Sequence, residues 1–217
     1  MLEAFEAARL RSLVYAILAL LTSNPKENLA GSAKYFQGLL GELSKLPHFS
    51  FGEELKALLQ EACENPLRLK VEYTRLFVTA YPTVPCPPYE SVYRSRERLT
   101  MRESTLQVLD FYRRFSLSLS EGFKEPPDHL AAELEFMHFL TGKEAEAWKR
   151  RQNREAIEVL RAEVEFASKH LAPWLPTLQA CVEEKGEIDF YKFVIRLSRS
   201  FVEADLDFAS TLLKNSL

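Results

Sequence analysis

Residues 85–93, Pro85-Cys86-Pro87-Pro88-Tyr89-Glu90-Ser91-Val92-Tyr93, interrupt a chain that otherwise reads as helix from end to end. Prolines at 85, 87 and 88 remove backbone donors and fix φ near the extended range. The stretch is therefore predicted to be a non-helical, ordered and exposed crossing that presents Tyr89 and Tyr93 to a partner.

Upstream, Leu10, Leu13, Val14, Ile17, Leu18 and Leu21 recur at helical spacing until Asn24-Pro25 ends the pattern. Amphipathic segments follow at about 28–46, 51–63 and 66–79, the last opening on Pro66, which suits a first helical turn. Downstream, Ser91–Leu119 carries Val92, Leu99, Leu106, Leu109, Phe111 and Phe115 and is expected to be the longest helix of the first half. A second break, Glu121-Gly122-Phe123-Lys124-Glu125-Pro126-Pro127, precedes helices expected at Asp128–Thr141, Lys143–His170, Leu175–Glu184 and Ile188–Leu213. No run alternates with period two for long enough to form a strand, and no repeat of solenoid length is present. The pattern predicts an all-α, irregular bundle of about nine helices. It is expected to be a single domain over 1–217, with an N-terminal half 1–120, a hinge 121–127 and a C-terminal half 128–217.

Composition narrows the function classes. With 47% hydrophobic and 27% charged residues the chain has the make-up of a folded, helix-rich protein without a low-complexity block. A net charge of −3 supplies no field to attract nucleic acid, and the basic runs Arg94–Arg102 and Lys149–Arg154 read as solvated helix faces. Cys63, Cys86 and Cys181 lie far apart without a paired spacing, which points to a reducing compartment and to Cys86 as a packed thiol. The acidic N-terminus lacks the form of an export signal, and the apolar run Leu13–Leu21 is roughly half the ~20 residues that span a bilayer. A cytoplasmic protein is expected.

The chemistry-bearing residues gather at the two breaks. Asp128 precedes an apolar-periodic segment and is expected to cap it, worth ~1 kcal/mol against alanine. At 100° per residue, Leu130, Leu134, Phe136, Met137 and Leu140 form one arc, with His129 and Glu133 within or beside it and Glu135 and His138 elsewhere. An inward carboxylate at Glu133 needs a partner. One reading gives it His129, a tyrosine or an arginine of the chain itself. The other has Asp128, Glu133 and Glu90 line a pocket that accepts a guanidinium or ammonium from a ligand. Tyr73, Leu76 and Phe77, at i, i+3 and i+4, read either as ordinary core or, with Pro88 and Tyr89, as a groove for an apolar peptide.

Other chemistry finds little support in the sequence. Glu135-Phe136-Met137-His138 has the spacing of a di-iron ligand element, but a second such element is missing, so no metal or other cofactor is expected. Phosphate-binding, dinucleotide and nucleophile-elbow motifs are absent as well. A small helical enzyme using Glu133 and His129 as an acid–base pair is the alternative from a different class.

Four stretches in order, Glu72–Val78, Pro87–Tyr93, Asp128–Met137 and His170-Leu171-Ala172-Pro173-Trp174-Leu175-Pro176, strongly resemble the TorD/DmsD/NarJ family of maturation chaperones for complex redox enzymes. The resemblance implies a noncatalytic, cytoplasmic, all-helical chaperone that binds the twin-arginine leader, or the immature catalytic subunit, of a molybdopterin oxidoreductase. In that role it would assist cofactor insertion and delay export. A client reductase of the nitrate-reductase type, membrane-bound but not exported, is the alternative within the same class. Carried onto matching positions, the peptide surface would comprise Tyr73, Leu76, Phe77, Pro88, Tyr89, Glu90, Asp128 and His129, to which the helical phase adds Glu133. The resemblance brings no motif upstream of Glu72, which leaves the role of residues 1–71 beyond helix packing unassigned. The 121–127 linker would permit a domain-swapped homodimer.

Overall fold

The structure, a computed structural model, describes residues 3–25, 52–95 and 99–215. The helix expected at 28–46 lies outside them. In chain order the elements are α1 (Ala4–Thr22), α2 (Gly52–Glu64), α3 (Pro66–Tyr73), α4 (Glu90–Arg94), α5 (Glu103–Arg114), α6 (Leu130–Lys149), α7 (Asn153–Phe166), α8 (Leu175–Lys185) and α9 (Asp189–Asn215). Two π-helical turns, Thr74–Val78 and Ala167–Leu171, extend α3 and α7. Among the described residues the extended pairing is a single antiparallel bridge, Tyr89 to His129, so the fold is all-α. No described helix is long and apolar enough to cross a membrane.

The expected inward arc is the centre of the core. α1 lies along α6, with α7 and α9 closing around them. Leu10, Val14 and Leu18 of α1 meet Leu130, Leu134, Met137 and Leu140 of α6, all essentially inaccessible. Burial of each such side chain contributes roughly 1.5–3 kcal/mol. Helix ends are set locally. At the end of α6, Arg151 takes φ 59° and Gln152 N–H closes on the Ala147 carbonyl at 2.9 Å. α5 stops the same way, with Ser116 at φ 57° and Leu117 N–H on the Tyr112 carbonyl at 2.9 Å. Both are left-handed caps formed without glycine.

Four expectations are corrected here. Ser91–Leu119 is not one helix: Ser95 and Arg102 are extended and Met101 has φ 60°. Val92 is buried while Leu99 and Leu106 are 49% and 62% exposed, so the apolar residues never shared a face. The break expected between Thr141 and Lys143 is absent, because Gly142 sits inside α6 facing Ser12 of α1. The chain turns at residues 150–152 instead. The proline crossing is neither wholly exposed nor wholly non-helical: Cys86, Pro88, Glu90, Ser91 and Val92 are buried, and α4 starts at Glu90. Finally, Cys86 and Cys181, separated by 95 residues, form a disulfide, and Cys63 remains a thiol. Spacing along the chain hid their proximity in space, and the inference of a reducing compartment loses its basis.

Candidate functional site

The two proline breaks lie side by side. Leu130 N–H donates to the Pro88 carbonyl at 2.9 Å and Glu90 N–H to the Asp128 carbonyl at 3.0 Å. This short ladder starts α4 and α6 from adjacent points and lets the second break cap the helix of the first. Asp128 Oδ2 accepts from Ser91 N–H at 2.9 Å, capping α4 rather than its own helix. α6 is capped instead by His129, whose Nδ1 accepts from Ala131 N–H at 3.1 Å. The expected Asp128 cap is thus made in trans, because the neighbouring segment offers an unsatisfied donor within reach. Burial pushes His129 down to about 4, so its ring is neutral with the proton on Nε2.

Behind the ladder, Glu90, Asp128 and Glu133 are fully buried. Glu90 accepts from Arg94 Nη1 at 2.5 Å and lies 3.0 Å from His170 Nδ1. The π turn at Ala167–Leu171 brings His170 to this position. Glu133 Oε2 accepts from Trp174 Nε1 at 3.2 Å. Burial, then the charges of Glu90 and Asp128, hold the Glu133 carboxyl protonated well above the ordinary range. Its hydrogen-bond partner is therefore Trp174, through Oε2, not His129, a tyrosine or an arginine, and its buried Oε1 accepts no bond. No hydrogen bond joins Glu133 to His129: Glu133 Oε2 accepts from Trp174 and His129 Nδ1 accepts from its own helix. The guanidinium at Glu90 is the chain's own Arg94, and these three carboxyls do not line an open pocket.

Among the described residues, a cleft of about 790 Å³ opens in front of the ladder. Its walls are the end of α1 with Leu20, the α5–α6 connection with Leu117, Leu119, Phe123 and Glu125, and the start of α6 with His129, Glu135, Phe136 and Phe139. Tyr73 and Tyr112 close its base. Tyr89 reaches the wall through its hydroxyl, which donates to Glu125 Oε2 at 2.7 Å, and its ring meets His129 edge-on at 5.3 Å. Burial and then the Glu125 contact hold the Tyr89 hydroxyl protonated far above its usual range.

Of the nine residues expected at the site, Tyr73 and His129 line the cleft and Tyr89 touches its wall. Leu76 and Phe77 are core, at 0% and 5% exposure, with Phe77 edge-on to Tyr73 and Tyr191. Pro88, Glu90, Asp128 and Glu133 form the backing layer. Sequence reasoning passed over Glu125, Glu135, Phe123, Phe136 and Phe139. Glu125 carried a signal, a carboxylate beside Phe123 and ahead of two prolines in a linker. Glu135 lies off the apolar arc, which is what places it on an accessible wall.

The family model described as nitrate reductase delta subunit matches residues 50–180, more than half of the chain. The chain belongs to this family. This is the TorD/DmsD/NarJ grouping that its four motifs resemble. The chain is 31% identical over 217 residues to the perchlorate reductase assembly chaperone protein of Dechloromonas aromatica, covering 94% of this chain and 92% of that one. It is 26% identical over 121 residues to the chaperone protein TorD of Aliivibrio salmonicida, with 56% and 55% covered. In fold it is similar to a candidate redox enzyme maturation protein from Archaeoglobus fulgidus, with TM-score 0.55, 25% identity, and 89% and 93% covered. The relatives' names are those of chaperones rather than catalytic enzymes.

Proposed function

We propose that this protein is an assembly chaperone that holds the catalytic subunit of a molybdenum-containing oxidoreductase in the cytoplasm by binding its twin-arginine leader, so that export waits until the molybdopterin cofactor is in place. The observation that carries this reading is the cleft itself. It combines the aromatic and aliphatic wall residues Leu20, Leu117, Phe123, Phe136 and Phe139 with two carboxylates, Glu125 and Glu135, against one lysine, Lys124. A leader with two guanidinium groups followed by an apolar segment needs those two ingredients together. The relatives named as reductase assembly chaperones support the same class of client.

Co-purification of a catalytic subunit, followed by deletion of its leader, tests the reading directly: capture should be lost. Capture that survives the deletion moves recognition to the body of the client, as for a reductase that is never exported. Titration with a synthetic leader locates the site. Glu125→Gln and Glu135→Gln should each weaken binding about tenfold, the loss of one charge-assisted hydrogen bond. Glu133→Gln should leave the affinity unchanged. A double variant at 125 and 135 that binds as tightly as the parent removes the cleft from consideration.

A further inference from the structure

We propose that the Cys86–Cys181 disulfide is a thiol–disulfide exchange site for dithiol reductants, and that its covalent state fixes or frees the proline crossing. Cys86 is fully buried, whereas Cys181, on α8, is partly exposed. Its Sγ stands 3.2 Å from the Pro85 carbonyl oxygen. Of the two cysteines, Cys181 is the one with any solvent exposure, and so the one whose sulfur is assigned as the point of attack.

The place of the bond gives it leverage. Between Thr79 and Pro88, the Cys86 N–H to Leu76 carbonyl contact of 3.0 Å is the one backbone bond among the described residues that ties the crossing to the body of the protein. Two residues beyond Cys86, the chain enters the ladder with Asp128–Leu130, and the next side chain, Tyr89, holds Glu125 on the cleft wall. The disulfide is the covalent anchor of the strand that carries both features. Residues 81–83, on its other side, are exposed and offer no packing to replace it.

The exchange is a two-electron reduction. A thiolate of the dithiol attacks Cys181 Sγ, the Sγ–Sγ bond breaks, and Cys86 leaves as a thiolate that takes up a proton. The second thiol of the reductant then attacks the mixed disulfide and releases Cys181, which is protonated in turn. The reductant ends as an intramolecular disulfide, and its two hydrogens end on the two cysteines.

The test uses the full chain carrying Cys63→Ser, with dithiothreitol as the probe under native conditions. Titratable thiols should rise from none to two, the count of the bonded pair. On reduction, hydrogen exchange at the Cys86, Glu90 and Leu130 amides should quicken about tenfold or more, as expected of local opening, while Leu140 within α6 keeps its protection. A thiol count that stays at none overturns the exchange site. Unchanged protection at the three amides overturns the anchor, and loss of protection at Leu140 as well shows a global rather than local role. Single variants check which sulfur is attacked: with Cys86→Ser, Cys181 should be labelled by an aromatic disulfide, and with Cys181→Ser, Cys86 should resist labelling until denaturant is added. The reverse order overturns the assignment.

Discussion

Two buried acidic clusters lie within this bundle, and they are neutralised in opposite ways. In the first, Arg11 of α1 meets Glu144 of α6, Glu163 of α7 and Asp205 of α9 at 2.6, 2.5 and 2.5 Å. Tyr15 and Trp148 add bonds to Asp205 and Glu144 at 2.7 and 2.8 Å. A cation sits inside the cluster, and four helices converge on it. In the second, Glu90, Asp128 and Glu133 face the Ser91 N–H, an imidazole and an indole, and the one guanidinium, Arg94, comes from a side chain 39% exposed. The contrast separates two uses of buried acid: one draws helices together around a fixed charge, whereas the other orders two chain breaks by satisfying donors that no helix can satisfy.

The comparison breaks most severely at Arg11. Burial alone would disfavour its charge, but Asp205, Glu163 and Glu144 outweigh that and hold it protonated. Arg11→Met should therefore strand buried carboxylates and cost about 3–5 kcal/mol in urea unfolding, the usual penalty for removing one partner of a buried ion pair. Adding Glu144→Gln and Glu163→Gln to that variant should restore much of the loss. Failure of this rescue would mean that Arg11 acts through its volume rather than its charge.

Asp128 gives an intermediate effect. Asp128→Ala leaves Ser91 N–H without its acceptor and uncaps α4, at about 1–2 kcal/mol. Asp128→Asn keeps an acceptor oxygen and should stay close to the parent. The change should register as faster exchange at Ser91 while α6, capped by His129, is unaffected. Equal losses in both helices would show that the cap is not made in trans.

How far the sequence led follows from the same division. Contacts governed by periodicity were legible: the inward arc of Leu130, Leu134, Phe136, Met137 and Leu140, and the buried positions of His129 and Glu133, follow from 100° steps alone. The adjacency of the two breaks was also within reach, because residues on both sides carried matching chemistry. Partner identity was not. Nothing in the spacing distinguishes Trp174 from an arginine as the neighbour of Glu133, or indicates that Cys86 would meet Cys181 across 95 residues. The Ser91–Leu119 error has a related origin, since an apolar count ignores whether a left-handed residue such as Met101 redirects the stripe. Moving the candidate site forward, from Glu90, Asp128 and Glu133 to Glu125 and Glu135, required knowing which carboxylates remain accessible.

The finest distinction between the clusters is their response to pH. Glu133 has its folded pKa raised, chiefly by burial, while its unfolded value lies at about 4.3. Across the window between those two values the native state binds more protons than the unfolded chain, so stability must fall as pH rises. Glutamine does not titrate and still accepts from Trp174, so Glu133→Gln should flatten that decline and leave acid-side stability nearly unchanged. Glu163 shares the sign of the shift, again chiefly through burial, but Arg11 opposes it. Some slope should therefore persist in the variant, because Glu163 and Glu144, both raised chiefly by burial, still lose stability as pH rises, while His129, lowered to about 4 by burial, contributes a rise of opposite sign up to its unfolded value. Urea midpoints measured from pH 5 upward decide the matter: a slope identical to the parent's would mean that Glu133 is ionised in the fold, and that burial beside Glu90 and Asp128 does not keep its proton on.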